Sequence, residues 1–162
     1  GPQAFRVTPR GMEAAQFLLS TNPGEELKPL EKIASGGELS RVALALKTCT
    51  ITAPRKNELP HTLVFDEVDA GVGGSAAESV GRRLKKLSAA NQVLCVTHLP
   101  QVAARGHHHL QVLKKKSSQG APVSDLITLD AAARVDEIAR MLGDEGAKET
   151  SREHARSLLA LA

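Results

Sequence analysis

Two adjacent acids end the apolar run Leu63-Val64-Phe65-Asp66-Glu67, and this pair can do metal and acid–base chemistry. A short apolar run predicts a buried strand of a parallel sheet, and ligands bind at the carboxyl ends of such strands. At that place the Asp66 carboxylate can help to hold Mg²⁺ beside nucleotide phosphates, and the Glu67 carboxylate can activate an attacking water. The solvated start of an ordinary loop has the same pattern, so the pair alone leaves both interpretations open.

A glycine pair directly precedes a predicted helix in the stretch Ser35-Gly36-Gly37-Glu38-Leu39-Ser40-Arg41. Glycines let a ligand approach the backbone, and a helix N-terminus presents free N–H groups that suit a phosphate. Ser35 and Glu38 have the spacing of a capping box, which favours a helix start here. An ordinary helix with a flexible entry explains the same residues.

A second apolar run, Gln92–Thr97, ends at His98, and the predicted helix Ser75–Leu87 separates it from the first run. Strand, helix and strand make one βαβ unit, whose right-handed crossover would put Asp66 and His98 at the same edge of the sheet. His98 could then hydrogen-bond a γ-phosphate or the attacking water. The loop Asp69–Gly73 follows the acid pair and could meet a partner surface. Taken singly, a loop histidine and a plain turn are common features.

The remaining patterns predict the elements that surround this unit. Apolar residues at helical spacing predict that one face of the first helix is buried, namely Leu39, Val42, Ala43, Leu46 and Cys49. Short strands are predicted at Ala4–Val7 and Gln16–Ser20, and a hairpin at His109–Lys115 and Pro122–Leu129. The two last helices are predicted to run from Asp130 to Leu142, with Gly143 as the stop, and from a Thr150/Glu153 capping box to Ala160.

Four of these motifs, in this order and spacing, resemble those of ABC-type ATPases in their SMC form. The stretch Ser35–Arg41 is similar to the ABC signature, Leu63–Glu67 to Walker B, Asp69 to the D-loop aspartate and His98 to the switch histidine. Four motifs in register are specific where each alone is weak.

The resemblance narrows to the RecN family of bacterial DNA repair proteins. The segments that carry it are Phe17–Glu25, Ile33–Ser35, Thr97–Ala103 and Arg134–Leu142. Transporter ATPases usually carry Gln and Pro where this chain has Glu38 and Val68, so the nucleotide-binding domain of a transporter is the weaker alternative.

The resemblance implies an α/β fold over residues 1–162, the C-terminal lobe of an ABC/SMC-type P-loop ATPase head. We expect parallel strands flanked by helices, a peripheral hairpin and C-terminal helices. The chain has no G-x-x-x-x-G-K-[ST] motif, the phosphate-binding Walker A loop. In SMC-like proteins the N-terminal lobe carries that loop, beyond a long coiled coil. This chain alone is therefore expected to be inactive.

The resemblance also implies cofactors, partners and residue roles. The cofactors would be ATP and Mg²⁺, with Asp66 helping to hold Mg²⁺, Glu67 activating water and His98 contacting the γ-phosphate. ATP would join two heads into a homodimer, and Asp69 would couple their two sites. The residues that would contact the γ-phosphate of the other head are Ser35, Gly36, Gly37 and Glu38. The implied function is double-strand-break repair and recombination; a structural clamp on DNA ends with a non-hydrolysing head is the alternative.

Composition limits the possible partners. The net charge is +3 and the chain has no Trp, no Tyr and three Phe, which argues against binding single strands by aromatic stacking. DNA contact would go to phosphates, through candidates that also fit a solvated helix face and a charged hairpin tip: Arg82, Arg83, Lys85, Lys86, Lys114, Lys115 and Lys116. No apolar run has the length of a membrane span, so we expect a cytoplasmic, nucleoid-associated protein with no membrane partner. Both cysteines, Cys49 and Cys95, are predicted to be buried reduced thiols.

Overall fold

A computed structural model describes residues 7, 9, 11–13, 15–20, 23–32, 35–50, 60–116, 122–143 and 148–161. The chain divides into two compact units, Gly1–Ser35 and Gly36–Ala162, which are described separately. The predicted strand Ala4–Val7, except for its last residue, lies outside the described residues. No helix in the described ranges is long and apolar enough to cross a membrane.

Two short strands pair in the described part of the first unit. β1 (Leu18–Leu19) pairs with β2 (Lys28–Pro29), and the Leu30 N–H donates to the Phe17 carbonyl at 2.9 Å. A single 3₁₀ turn follows at Leu30–Lys32. The strand predicted over Gln16–Ser20 exists, but only its two leucines pair.

The second unit is built on the predicted strand–helix–strand unit. β3 (Thr62–Phe65) and β4 (Gln92–Cys95) are parallel neighbours, and α2 (Gly74–Ser88) connects them. The register pairs Phe65 with Cys95, so both strands end at the same level. This arrangement brings the residues that follow β3 and β4 to one edge, as the sequence predicts.

A first hydrophobic core holds the strand–helix–strand part of the second unit together. Its buried members come from the first helix α1 (Gly36–Thr50), β3 and the turn after it, α2 and the short helix α3 (Pro100–Ala103), and partly buried residues of β4 pack against them. The buried members are Leu44, Phe65, Val68, Ala77, Val80, Leu84, Leu87 and Val102. Burial of four α2 side chains at helical spacing fixes that helix against the sheet. The sequence did not predict α3, which is only one turn long.

The prediction that both strands are fully buried is wrong for this chain. Leu63, Phe65, Val93 and Cys95 face the core, whereas the alternate residues face outward. Val64 is 67% exposed, Leu94 46% and Val96 62%. The second face of the parallel pair is therefore apolar and uncovered in this chain.

The predicted buried face of α1 is also wrong. Leu39 and Leu46 are 40% and 45% exposed, and Cys49 is exposed as well, which corrects its assignment as a buried thiol. The buried residues of α1 are Gly37 and Leu44. The helix turns its glycine side toward the core because that side contacts the turn after β3, as described below.

The C-terminal part confirms the predicted hairpin and helices. β5 (Leu110–Lys116) pairs with β6 (Pro122–Thr128), and α4 (Ala131–Met141) and α5 (Glu149–Ala160) pack together in a second core. Asp130 caps α4 through its carboxylate, which accepts from the Ala133 N–H at 2.8 Å. The α/β class with flanking helices, a peripheral hairpin and C-terminal helices is confirmed.

Two polar clusters tie α4 to its neighbours. Arg134 Nη2 donates to the Ala104 carbonyl at 2.8 Å, at the end of α3. The buried carboxylate of Glu137 accepts from Arg140 Nε at 2.8 Å and from Gln111 Nε2 at 2.6 Å, on β5. The Arg140 hydrogen bond holds the pKa of Glu137 below its ordinary value. The predicted cap of α5 is wrong: the helix begins after Lys148, and Thr150 lies within its first turn.

Candidate functional site

The turn after β3 is the centre of the candidate site. The Ala70 N–H donates to the Glu67 carbonyl at 3.0 Å, and Val68 and Asp69 are buried at 0% and 1% exposure. Asp66 and Glu67, which precede them, are exposed. The buried pair anchors the turn, and the acid pair is left facing solvent.

Glu67 has an unusual backbone conformation. Its φ is +54°, and no other non-glycine residue in the described ranges has a positive φ. A non-glycine residue in this region costs about 1–3 kcal/mol and persists only where its surroundings hold it in place. Such positions concentrate at functional sites, which supports the role that the sequence predicts for this carboxylate.

α1 supplies the side chains that hold this turn. Ser40 Oγ donates to the Asp66 carbonyl at 2.8 Å, and Arg41 Nη1 donates to the Ala70 carbonyl at 2.6 Å. These bonds bracket Glu67 on both sides. Sequence reasoning placed Ser40 and Arg41 in a motif but gave them no role, although polar residues on one helical turn are a signal of such a contact.

The two glycines of the motif lie against the same turn. A Cβ atom at residue 37 would be 2.8 Å from the Ala70 Cβ and 3.0 Å from the Glu67 carbonyl oxygen. A Cβ atom at residue 36 would be 2.9 Å from Glu67 Oε2. From the sequence, these glycines are expected to let a ligand approach the backbone. In the structure they also let the turn that contains Glu67 lie close to α1.

The second strand brings His98 to the same edge. Asp69 Oδ2 accepts hydrogen bonds from Thr97 Oγ1 and, at 3.2 Å, from the His98 backbone N–H. The His98 ring is exposed, with Nδ1 3.5 Å from the same oxygen. Thr97 received no role from the sequence. A hydroxyl residue directly before the histidine was the available signal.

Cys95 lies on the core side of β4, below these residues. Burial, together with the nearby charges of Asp69 and Asp66, raises the pKa of its thiol to about 12. The thiol is therefore protonated at neutral pH; Cys95 is a free cysteine, as predicted, but partly rather than fully buried.

The basic residues predicted for DNA form two groups on different elements. On α2, Arg82 pairs with Glu78 at 3.4 Å, Arg83 and Lys86 are exposed and Lys85 is partly exposed. On β5, Lys115 Nζ lies 2.6 Å from Asp125 Oδ2, Lys114 is exposed and Lys116 is the last residue of the strand. Their contact with DNA remains a prediction.

Comparison with known proteins identifies relatives over nearly the whole chain. No protein-family model matches. The chain is 46% identical to the DNA repair protein RecN of Vibrio cholerae over 155 residues. These residues are 96% of this chain and 27% of that protein. It is 53% identical over 138 residues to RecN of Xylella fastidiosa, covering 85% of this chain and 24% of that protein. The chain belongs to the RecN family.

RecN of Bacillus subtilis is 41% identical over 157 residues, which are 97% of this chain and 26% of that protein. The chain thus spans about a quarter of the length of the RecN proteins that it matches. Among solved structures, one match comes from a study of ATP-driven dimerization and DNA-stimulated activation of SMC ATPases. The matched region covers 80% of this chain and 81% of the chain in that structure. Its TM-score is 0.47 and its identity 20%.

Proposed function

We propose that this chain is the C-terminal lobe of an ATP-hydrolysing head in a DNA repair protein of the RecN family. The observation that carries the proposal is that exposed Asp66, Glu67 and His98 lie at one edge of a parallel strand pair. Ligands bind at such edges of open α/β sheets. The RecN names of the relatives support the role in DNA repair.

Glu67 acts as the general base in this proposal. Its carboxylate is exposed, while its backbone is bracketed by the hydrogen bonds from Ser40 and Arg41. A fixed backbone limits the positions of the carboxylate, and a positioned base is what water activation requires. His98, at the same edge, contacts the γ-phosphate or the attacking water. Positioning and electrostatic stabilisation account for most of the catalysis of phosphoryl transfer.

The residues at this edge fit Mg²⁺ and ATP. Carboxylate oxygen is the ligand type that Mg²⁺ prefers, and the Asp66 carboxylate is exposed at the end of β3. The Ser40 hydroxyl donates to the Asp66 backbone carbonyl and so helps to fix the backbone that carries this carboxylate. When bound, ATP would supply the phosphoryl group that is transferred to water, and Mg²⁺ would neutralise charge on the phosphate oxygens.

The signature residues contact the ATP of a second head. Gly36 is exposed and Glu38 partly exposed at the N-terminus of α1, where free N–H groups suit a phosphate. Ser35 precedes them in the chain, and Gly37 lets α1 lie close to the Glu67 turn. ATP thereby joins two heads into a homodimer.

The N-terminal lobe of the same protein covers the uncovered apolar faces. These faces are the outer side of the β3–β4 pair, with Val64, Leu94 and Val96, and the side of α1 with Leu39 and Leu46. Apolar faces of this kind are typical of surfaces buried against another part of a protein. The chain matches about a quarter of the RecN proteins, so their remaining length is available to cover these faces.

The proposal is tested by measuring ATP hydrolysis of this chain alone and combined with the N-terminal segment of the same protein. We expect no turnover from the chain alone, because it has no Walker A motif, and Mg²⁺-dependent turnover from the combination. ATP binding and dimerisation of the combined segments without turnover would instead support the structural clamp. No ATP binding by the combination would contradict both.

The exposed basic residues of α2 bind DNA phosphates in this proposal. We expect Arg83→Gln with Lys86→Gln to weaken duplex binding by the combined segments and to lower the salt dependence. The slope of log affinity against log salt should fall by about 0.9 for each phosphate that the variant no longer neutralises. Binding titrations at several salt concentrations measure this slope. Arg156→Gln on α5 is the control; equal slopes for both variants would exclude α2 from the DNA interface.

A further inference from the structure

Asp69 is a buried acid whose contacts lie within its own lobe. The residue is 1% exposed, and one oxygen, Oδ2, receives the Thr97 hydroxyl and the His98 N–H. A buried carboxylate without hydrogen-bond partners is destabilising, so these donors offset the cost of its burial. The coupling role across a head dimer that the resemblance implies would require this carboxylate to leave them.

The same oxygen lies beside the imidazole of His98. Nδ1 is 3.5 Å from Asp69 Oδ2, and the side chain of His98 is 71% exposed. A carboxylate next to one ring nitrogen favours the proton on that nitrogen. The other nitrogen, Nε2, is then the one that the ring offers to a ligand at the edge of the strands.

Thr97 fixes the carboxylate in this position. Its hydroxyl donates to Asp69 Oδ2 and accepts from the Leu99 N–H at 3.1 Å. Leu99 directly precedes α3, whose end Arg134 holds through the carbonyls of Ala103 and Ala104. The acid, the histidine and the start of α3 therefore form one connected hydrogen-bonded group.

We propose that Asp69 is a positioning residue for His98, acting within its own lobe: it holds the proton on Nδ1 and so presents Nε2, as a hydrogen-bond acceptor, to the water that attacks the γ-phosphate. The position of the proton on His98 is a property of this chain alone. The role of Nε2 in ATP hydrolysis rests on the proposed function. In a neutral ring with the proton on Nδ1, the Nε2 lone pair accepts a hydrogen bond, which a water molecule can donate.

The tautomer of His98 is measurable in this chain by long-range ¹H–¹⁵N NMR of the imidazole in alkaline buffer. The chain has six histidines, so a His98→Gln spectrum assigns the signals. We expect the Nδ1–H form in the unaltered chain and a shift toward Nε2–H in Asp69→Asn. Glu137→Gln, a change at another buried acid, should leave the His98 signals unchanged, although it can move those of His109. The inference would be overturned if the unaltered chain had the Nε2–H form, or if Asp69→Asn had the same tautomer as the unaltered chain.

A second pair of variants keeps the inference testable if Asp69→Asn does not fold. Thr97→Val removes the hydroxyl that holds the carboxylate, and Thr97→Ser retains it. We expect a partial shift toward Nε2–H in the valine variant and none in the serine variant. The same tautomer in both variants would contradict the arrangement.

Turnover of the combined segments tests the catalytic half. Asp69→Asn should lower kcat by about 10-fold to 100-fold, the range for partners that orient a functional histidine, with little change in KM for ATP. A changed tautomer with unchanged kcat would overturn the positioning role. No turnover from the unaltered combination would contradict the proposed function and leave the tautomer result standing.

Discussion

Glu67→Gln is expected to lower ATP turnover of the assembled head by about 100-fold to 10,000-fold, the range for loss of a general base. The amide has nearly the shape of the carboxylate but cannot take a proton from water. The backbone of the turn is held by Ser40 and Arg41, which the substitution leaves in place. ATP binding should survive, and a long-lived ATP-bound dimer should accumulate. Steady-state hydrolysis and light scattering measure the two effects.

The matched control for this substitution is Glu153→Gln, at an exposed acid on α5. It should turn over ATP like the unaltered protein. Turnover within about twofold of normal in Glu67→Gln would remove Glu67 from the role of base. Loss of nucleotide binding together with turnover would assign the carboxylate to holding the nucleotide instead.

The strand–helix–strand unit could be predicted because its signals are local. Apolar runs of strand length, one amphipathic helix and glycine turns specify β3, α2 and β4 within a short stretch of chain. Parallel pairing then brings Asp66 and His98 to one edge without further information. The Asp130 cap of α4 is equally local, since the side chain binds an N–H three residues ahead.

The orientation of α1 could not be predicted from its apolar residues. Periodicity selects Leu39 and Leu46, but in this chain the helix buries Gly37 and directs Ser40 and Arg41 to the acidic turn. Hydrogen bonds and glycine packing give no hydrophobic signal, and the apolar side faces surface that this chain does not cover. The exposed faces of Val64 and Leu94 have the same origin.

The burial of Asp69 could not be predicted either. An acid shortly before a glycine-containing turn is typical of a solvated loop. Only the parallel register brings Thr97 and His98 within reach of its carboxylate. The proposed site therefore divides into residues found by motif, such as Glu67, and residues found only in the folded structure, such as Thr97 and Arg41.

Gly37→Ala is expected to destabilise the chain and to displace the base. The added Cβ would lie 2.8 Å from the Ala70 Cβ and 3.0 Å from the Glu67 carbonyl oxygen, neither of which can rotate away. Overpacking of this kind costs about 1–3 kcal/mol, whereas alanine regains up to about 1 kcal/mol in helix propensity. The clash with backbone dominates, so we expect a net loss of about 1 kcal/mol. Urea unfolding of this chain, without nucleotide, measures it.

The same substitution should reduce turnover of the combined segments by about 10-fold to 100-fold, because a shift of the Glu67 backbone misplaces the carboxylate. Glu153→Ala is the control, because it introduces alanine at an exposed helical position of α5. It should leave both stability and turnover near normal. A Gly37→Ala chain that is as stable as the control yet inactive would place the importance of Gly37 in nucleotide binding. Full stability with full turnover would show that α1 and the acidic turn do not depend on their close approach.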